Sequence, residues 1–354
     1  MSYTPAWLDD AVVERDHPYA CPLDRTPLRI EAGGITCPKC GAAYAREGGI
    51  ALLDVILSAQ AAAFDAQHAS PEPMSEAARR ASVALAERFL DAIAPGAAVA
   101  GKDILEVACG GGALTYGLAH TERIRRSTIH GFDHSIASLA AVRASVGDVV
   151  ESNRVVLSAQ DVHALAYRER TFDLVIGNAV LHHFSGVGNV IGSLGRLLRP
   201  GGIAVFGEPF AHGYVLATAI LVQSARLLGM ELTAPGMGLA QFIVDDVAYR
   251  VRHAGDDAAL ERLTDKHLFT TESIAEIAVR HGLGWRTVLQ EKESFYERFM
   301  KRFLDEYGIR SEPLRATALQ LFDAARLHLG PSFAEYFPHF KLIVFEAPAQ
   351  RGSA

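Results

Sequence analysis

Cysteine, excess positive charge and long apolar runs are all scarce in this 354-residue sequence. Four cysteines are too few for a disulfide-stapled secreted scaffold of this length. The most apolar run, Tyr214 to Val222, is well short of the roughly 20 residues that a membrane helix needs. Lysine and arginine (34) do not outnumber aspartate and glutamate (41), and the net charge of −7 argues against a uniformly basic nucleic-acid binder.

Apolar residues are plentiful. Hydrophobic residues make up 49% of the sequence and charged residues 21%, which excludes disordered, collagen-like and coiled-coil chains. The length is typical of about two domains. The first residues, Met1 to Asp16, lack a basic segment followed by an apolar one, so we expect no targeting leader. The sequence predicts a soluble, cytoplasmic protein.

Short apolar runs alternate with helical segments from Lys102 onward. This alternation predicts an α/β fold, with a parallel sheet that carries helices on both faces and binds ligands at the carboxyl ends of its strands. Two helical insertions, at about 209–268 and 291–338, flank the late strands predicted at Trp285 to Gln290 and Phe340 to Glu346. Insertions at this edge commonly act as lids or substrate walls.

The sharpest motif is a strand that runs into three glycines, Ile104 to Gly112. Glycines let the backbone approach a ligand closely, and the following helix offers free N–H groups. Asp133 ends the second predicted strand, about 20 residues further on, where a carboxylate can bind ribose hydroxyls. Asp161 and Asn178 follow the third and fourth strands, and Arg199 to Gly202 leads into the fifth.

These motifs, in this order, resemble class I S-adenosylmethionine-dependent methyltransferases of the type 11 kind. The resemblance is close over about 102–207 and looser over the rest of the catalytic domain. It implies a Rossmann-like, seven-stranded, mostly parallel sheet with helical lid insertions. A dehydrogenase shares the strand–glycine–carboxylate pattern, but Glu106 and the Arg-Pro-Gly-Gly turn are typical of methyltransferases.

The resemblance implies S-adenosylmethionine as cofactor and places Asp133 on the ribose hydroxyls. Asp161 would accept from the adenine amino group, and the Val162 amide would face a ring nitrogen. Ala108 stands where the family usually has glycine, so we expect a small local shift there, while Cys109 is expected to pack rather than react. The full set of cofactor-binding residues implied in this way is Glu106, Ala108, Cys109, Gly110, Gly112, Asp133, His134, Asp161, Val162, Asn178, Ala179 and His183.

Candidate catalytic residues are His182, His183 and Glu208. A histidine can accept a proton from an O–H or N–H nucleophile, because its pKa is near neutrality. A histidine after this strand can equally well pack against the cofactor. Glu208 ends the fifth strand and is expected to face the substrate, either as a pocket wall or in the chemistry.

An aromatic stripe in the second insertion bears on the substrate. It either forms core or roofs an apolar cavity, and neither insertion has the interleaved basic and aromatic residues of a nucleic-acid groove. We therefore predict methyl transfer to an O, N or C nucleophile of a small, partly apolar metabolite. An rRNA or tRNA base methyltransferase, a catalytically silent scaffold that regulates a partner, and a non-methylating use of the cofactor remain alternatives. The stripe consists of Phe295, Tyr296, Phe299, Met300 and Phe303.

The N-terminal segment carries metal-ligand spacing. Cys21 and Asp24 form one pair, and Cys37 and Cys40 form another, as in two zinc knuckles with one cysteine replaced. The segment resembles the zinc ribbon of tRNA-methyltransferase activator proteins and the N-terminus of rRNA guanine methyltransferases. We predict a zinc-ribbon-like domain at 1–57 and a methyltransferase domain at 58–354. Asp24 or His17 would complete a structural zinc site, or the knuckles persist without metal; the oligomeric state is left open.

Overall fold

A computed structural model of the chain describes residues 17–31, 34–53, 74–147, 154–231, 240–289 and 293–349. The predicted domain boundary at residue 57 and the predicted absence of a leader in the first residues both lie outside these ranges. The strands of the described part are, in chain order, β1 (Arg29–Glu31), β2 (Gly34–Thr36), β3 (Ala43–Tyr44), β4 (Arg46–Glu47), β5 (Ile50–Leu52), β6 (Asp103–Glu106), β7 (Thr128–Asp133), β8 (Arg154–Ala159), β9 (Phe172–Asn178), β10 (Leu198–Pro209), β11 (Gly284–Val288) and β12 (Phe340–Glu346).

Some of the described helices begin at capping residues that are recognisable in the sequence. Ser75 caps the first helix, and a capping box of Thr270 and Ser273 begins the helix that runs to His281. The described helices are α1 (Glu76–Ile93), α2 (Ala113–His120), α3 (Ile136–Val146), α4 (Val187–Leu197), α5 (Ala211–Leu227), α6 (Ala240–Arg252), α7 (Asp257–Leu260), α8 (Thr271–His281), α9 (Glu293–Glu306), α10 (Glu312–Leu329) and α11 (Ser332–Tyr336). No helix of the described residues is long and apolar enough to cross a membrane.

A nine-stranded sheet forms the centre of the fold, in the order β11-β12-β10-β9-β6-β7-β8-β5-β4. The strands from β5 to β10 that neighbour one another in this order pair in parallel, whereas β12 pairs antiparallel with β10 and β11. The chain moves outward from β6 to β8 and then returns to the other side of β6 with β9. The carboxyl ends of β6 and β9 therefore form the switch point where such sheets bind ligands.

Both faces of the central strands are buried. Successive strand residues point to opposite faces, so Leu105 and Val175 lie in one apolar cluster while Ile104 and Leu174 lie in another. Helices α4 and α8 cover the first face, and α1 and α2 cover the second. This two-sided burial explains why the strands read as nearly continuous apolar runs.

The predicted Rossmann-like architecture is confirmed, with one addition. All seven predicted strands are present, but β4 and β5 from the N-terminal segment extend the sheet to nine. Ala51 and Leu52 pair in parallel with Ser158 and Ala159. The remaining N-terminal strands, β1 to β3, form a separate three-stranded antiparallel sheet.

Residues after β10 build a second core beside the sheet. Helices α5, α6, α9, α10 and α11 share one apolar cluster, which includes Leu221, Ile243, Phe303, Phe322 and Phe333. The two predicted helical insertions therefore pack against each other, and they meet where the chain leaves the carboxyl end of β10 at Pro209.

Candidate active site

The glycine turn after β6 is held by backbone bonds from both neighbouring strands. Val107 N donates to Ile176 O at 2.9 Å, and Cys109 N donates to Phe132 O at 2.9 Å. No described atom lies within 4 Å of a Cβ built on Gly110, so the turn borders open space there. A Cβ on Gly112 would meet Val142 Cγ2 at 2.8 Å, which explains the need for glycine where α3 passes.

Ala108 adopts a left-handed backbone conformation, with φ at +47°. A left-handed conformation strains any residue with a Cβ, whereas the local shift expected from alanine at this position stays a prediction. We expect Ala108→Gly to raise the free energy of unfolding by up to about 1 kcal/mol, because the relief outweighs the added entropy of the unfolded chain. Urea unfolding of the two proteins measures the difference. A lower stability for Ala108→Gly would contradict it.

Asp133 joins the glycine turn to the end of β7. Its carboxylate is 2% exposed; Oδ2 accepts from Gly110 N at 2.8 Å and Oδ1 accepts from Ser135 N at 2.9 Å. Ser135 in turn caps α3 through Ser138 N. His134, also among the implied cofactor residues, lies with Nδ1 3.7 Å from Asp133 Oδ1 and is partly exposed.

Asp161 follows β8 and already has a partner. Its Oδ1 accepts from His163 N at 2.9 Å and lies 2.9 Å from His163 Nδ1, and the His163 hydrogen bond lowers the pKa of Asp161. His163 Nε2 lies 2.9 Å from Ser185 O, so this ring bridges the segments that follow β8 and β9. Val162 is buried beside it. The sequence offered no signal for His163, since its contact to Ser185 is long-range.

The end of β9 is strained and tightly packed. Ala179 has φ at +56° and donates its N–H to Gly207 O at 2.7 Å. A Cβ on Gly207 would meet Asn178 Oδ1 at 3.0 Å, so the two strand ends approach closely. Backbone strain of this kind clusters at ligand sites.

Glu208 was expected to face the substrate at the end of its strand, but its side chain is fully buried. Its Oε1 accepts from Val180 N and Leu181 N at 3.0 and 2.8 Å. Its Oε2 accepts from His182 N at 3.3 Å and lies 2.7 Å from His182 Nδ1. The carboxylate therefore holds the turn after β9 and orients the His182 ring.

His183 is more exposed than its neighbour, with 37% of its side chain accessible against 11% for His182. Its Nδ1 lies 3.2 Å from Asp265 Oδ1 and 3.1 Å from Thr264 O. Asp265 comes from the first helical insertion and was not predicted from the sequence. One ligand atom from each of His182, His183 and Asp265 lies within 4.8 Å of the others.

Glu106 supplies an unsatisfied polar atom beneath the glycine turn. Within the described part of the chain its Oε2 has no hydrogen-bond partner, and the residue is 2% exposed. Burial raises the pKa of Glu106 to about 8, although hydrogen bonding from Thr115 lowers the pKa in part. Cys109 is buried and burial raises the pKa of its thiol well above its usual value, which suits packing rather than nucleophilic chemistry. The orphaned oxygen and the open turn together fit a bound cofactor.

The aromatic stripe of α9 forms core. Tyr296, Phe299, Met300 and Phe303 are all buried among the helices of the insertions. Phe299 packs against Phe322 and stacks on His339 at 4.2 Å between ring centroids. The side chain of Phe295 lies outside the described part. The core reading of the stripe therefore holds for the described members.

The four predicted metal ligands converge. One ligand atom from each of Cys21, Asp24, Cys37 and Cys40 lies within 4.8 Å of the others. The Cys21 and Cys40 sulfurs are 3.7 Å apart, and Cys37 Sγ lies 3.6 Å from both Asp24 oxygens. Cys40 N donates to Cys37 Sγ at 3.4 Å, as in a metal knuckle. The alternative ligand, His17, instead accepts from Tyr19 N through its Nδ1.

Comparisons with known proteins place these motifs in a family. The family model described as a methyltransferase domain matches residues 105–206. The ubiquinone biosynthesis O-methyltransferase of Thiobacillus denitrificans is 31% identical over 132 residues, which are 37% of this chain and 53% of that protein. The chain thus spans about half the length of this relative. A solved structure, phosphoethanolamine N-methyltransferase 2 of Haemonchus contortus, is 16% identical with a TM-score of 0.43, over 75% of this chain and 53% of that one.

A second relative is matched over more of its length. The 27-O-demethylrifamycin SV methyltransferase of Amycolatopsis mediterranei is 32% identical over 213 residues, which are 58% of this chain and 71% of that protein. The chain thus covers more than two thirds of this relative's length. The chain therefore belongs to the family of S-adenosylmethionine-dependent methyltransferases.

Proposed function

We propose that this protein transfers the methyl group of S-adenosylmethionine to an O, N or C nucleophile of a small, partly apolar metabolite, with oxygen favoured. The observation that carries the proposal is the bond from Gly110 N to Asp133 Oδ2, which brings glycine turn and carboxylate together at the switch point of the sheet. Two relatives are named for oxygen methylation, one in ubiquinone biosynthesis and one on a rifamycin.

The residues at this edge have separable tasks in the proposal. Asp133 binds the ribose hydroxyls, while Asp161 and the Val162 amide meet the adenine. Glu106 and the turn from Ala108 to Gly112 lie beside the methionine part. The cofactor supplies an activated methyl group and its own leaving group, so the protein orients the reactants, excludes water and removes a proton.

A substrate screen tests the proposal. The full chain would be incubated with methyl-labelled S-adenosylmethionine and separate panels of hydroxylated apolar compounds, amines and RNA, with 27-O-demethylrifamycin SV among the first. We expect acceptor-dependent release of S-adenosylhomocysteine and label in an apolar hydroxylated compound, read by mass spectrometry. Label in RNA alone would support the RNA-modifying alternative. Cofactor binding without transfer would support the scaffold, and absence of binding would overturn the proposal.

We also propose that Cys21, Asp24, Cys37 and Cys40 hold one structural zinc ion. The four ligand atoms lie within 4.8 Å of one another, and an N–H···S bond supports one of the sulfurs, as suits tetrahedral zinc. Four protein ligands leave no open coordination position for catalysis. Cys21 and Cys37 are buried against the core that the N-terminal segment shares with the sheet. The metal would therefore stabilise the join between β1–β3 and the main sheet.

Zinc content checks this second proposal. We expect one zinc per chain in protein purified without chelator, and removal of the metal should lower the free energy of unfolding by about 2 kcal/mol or more. Cys37→Ser should lose the ion, Asp24→Cys should keep it, and Cys109→Ser serves as a control at a cysteine outside the cluster. Metal-free protein with unchanged stability would show that the knuckles fold unaided.

A further inference from the structure

A short segment of the first helical insertion, residues 264–267, is fastened to the turn that carries the two histidines. Lys266 N and His267 N both donate to His182 O, at 2.7 and 3.2 Å. His267 Nε2 lies 2.9 Å from Phe184 O. Backbone carbonyl groups of the turn after β9 therefore hold this segment in place. The backbone of Asp265 is fixed next to the two histidines.

A buried polar network stands behind the same segment. Arg250 is 4% exposed, forms an ion pair with Asp246 at 2.9 Å and donates to the Tyr307 hydroxyl at 3.1 Å. Its other terminal nitrogen lies 3.4 Å from Asp265 O. Arg250 and Asp246 lie on α6, and Tyr307 directly follows α9, so the packing of both insertions determines where Asp265 lies.

Asp265 meets His183 on one ring nitrogen only. Nδ1 has two acceptors, Asp265 Oδ1 at 3.2 Å and Thr264 O at 3.1 Å. A proton on Nδ1 can be donated to Thr264 O while it faces the Asp265 carboxylate, and this leaves the lone pair on Nε2. His182 has less freedom, because its Nδ1 is bound to Glu208 and its side chain is largely buried. His183 is therefore the histidine of the pair that can take a proton from the substrate that receives the methyl group.

We propose that Asp265 is a positioning residue that holds His183 with Nε2 available as the general base for methyl transfer. This inference rests on the proposed function and adds a task for the insertion, which completes the site instead of merely covering it. For a hydroxyl acceptor, the O–H proton passes to His183 Nε2 as the oxygen forms its bond to the methyl carbon. The carbon–sulfur bond of S-adenosylmethionine breaks, and its electron pair stays on sulfur.

Charges around the ring set the direction of the titration. Burial disfavours the imidazolium, but the hydrogen bonds to Asp265 and Thr264 outweigh it and raise the pKa of His183. The hydrogen bond from His183 in turn lowers the pKa of Asp265 to about 2. The other groups that face the ring are Glu208, which also favours the imidazolium, and His182, whose ring centroid lies 4.0 Å away. Loss of the Asp265 charge should therefore lower the pKa of His183.

Histidine nitrogen NMR tests the inference without knowledge of the acceptor. In the full chain with S-adenosylhomocysteine, the signal that His183→Gln removes should show a proton on Nδ1 in the neutral ring. Asp265→Asn should shift its titration to lower pH by about 1 unit. The matched control is Asp257→Asn, also on the insertion, whose carboxylate lies 3.9 Å from His267 and should leave the His183 titration in place.

Kinetics give a second, separate readout on any acceptor found in the screen. His183→Ala should lower kcat by about 100-fold and leave the affinity for cofactor within about twofold. Asp265→Asn should lower kcat by about tenfold and shift the acid limb of the pH profile downward. An unchanged His183 titration in Asp265→Asn would overturn the inference even if methyl transfer occurs. Broadening of both histidine signals by Mn²⁺, with activity lost to chelator, would overturn it in favour of a cation site.

Discussion

Replacement of Glu208 by alanine is expected to lower the free energy of unfolding by about 3–5 kcal/mol and to abolish methyl transfer. The carboxylate is fully buried and accepts from three consecutive backbone N–H groups, those of Val180, Leu181 and His182. It also binds His182 Nδ1. Alanine would remove the acceptor from these buried donors, and each donor that stays unpaired costs about 1–3 kcal/mol, so two unpaired donors already account for the expected loss.

Two variants separate stability from chemistry at this position. Glu208→Gln keeps the shape but presents an N–H₂ group where an oxygen accepts, so we expect a smaller loss than for alanine. Glu346→Gln is the control, because Glu346 lies on the neighbouring strand β12 with its side chain about half exposed. Urea unfolding followed by circular dichroism measures all three. If Glu208→Ala were as stable as Glu346→Gln, the carboxylate would not be what holds the turn.

The strands and helices were predictable where periodicity and boundaries agree. Strand β12 was predicted to the residue, because its apolar run from Leu342 to Phe345 ends at the charged Glu346. Strands β4 and β5 were not assigned to the main sheet. A strand of two or three residues is too short to show the alternating apolar pattern of a strand. Only the pairing of β5 with β8, and of β4 with β5, shows that they belong to the main sheet.

The site was predictable only in its short-range part. Gly110, Asp133 and Asp161 lie at strand ends, and parallel strands bring their ends to one edge. Asp265 lies far from His183 in sequence, in a polar stretch where nothing distinguishes one aspartate from another. The same holds for Glu208, because a carboxylate at a strand end reads as exposed until its backbone partners are known.

Asp133→Ala is expected to weaken binding of S-adenosylhomocysteine by about 10- to 100-fold, or about 1–3 kcal/mol. Each oxygen of an ionised carboxylate can accept two hydrogen bonds. In Asp133 each oxygen uses one of them on a backbone N–H, of Gly110 or of Ser135, and one remains for a ribose hydroxyl. Alanine removes the proposed ribose contacts and also frees the glycine turn, so affinity should fall for both reasons.

Comparison with Asp161→Ala distinguishes the ribose contact from a general loss of order. Asp161 is about half exposed and its partner His163 remains beside it, so we expect a smaller loss of affinity there. Calorimetry gives the dissociation constants, and urea unfolding gives the stability of each variant without ligand. Asp133→Ala with normal affinity but reduced stability would limit Asp133 to building the turn. If Asp133→Ala weakens binding of S-adenosylhomocysteine much more than it lowers the stability of the free protein, and Asp257→Asn binds normally, the Asp133 carboxylate contacts the cofactor.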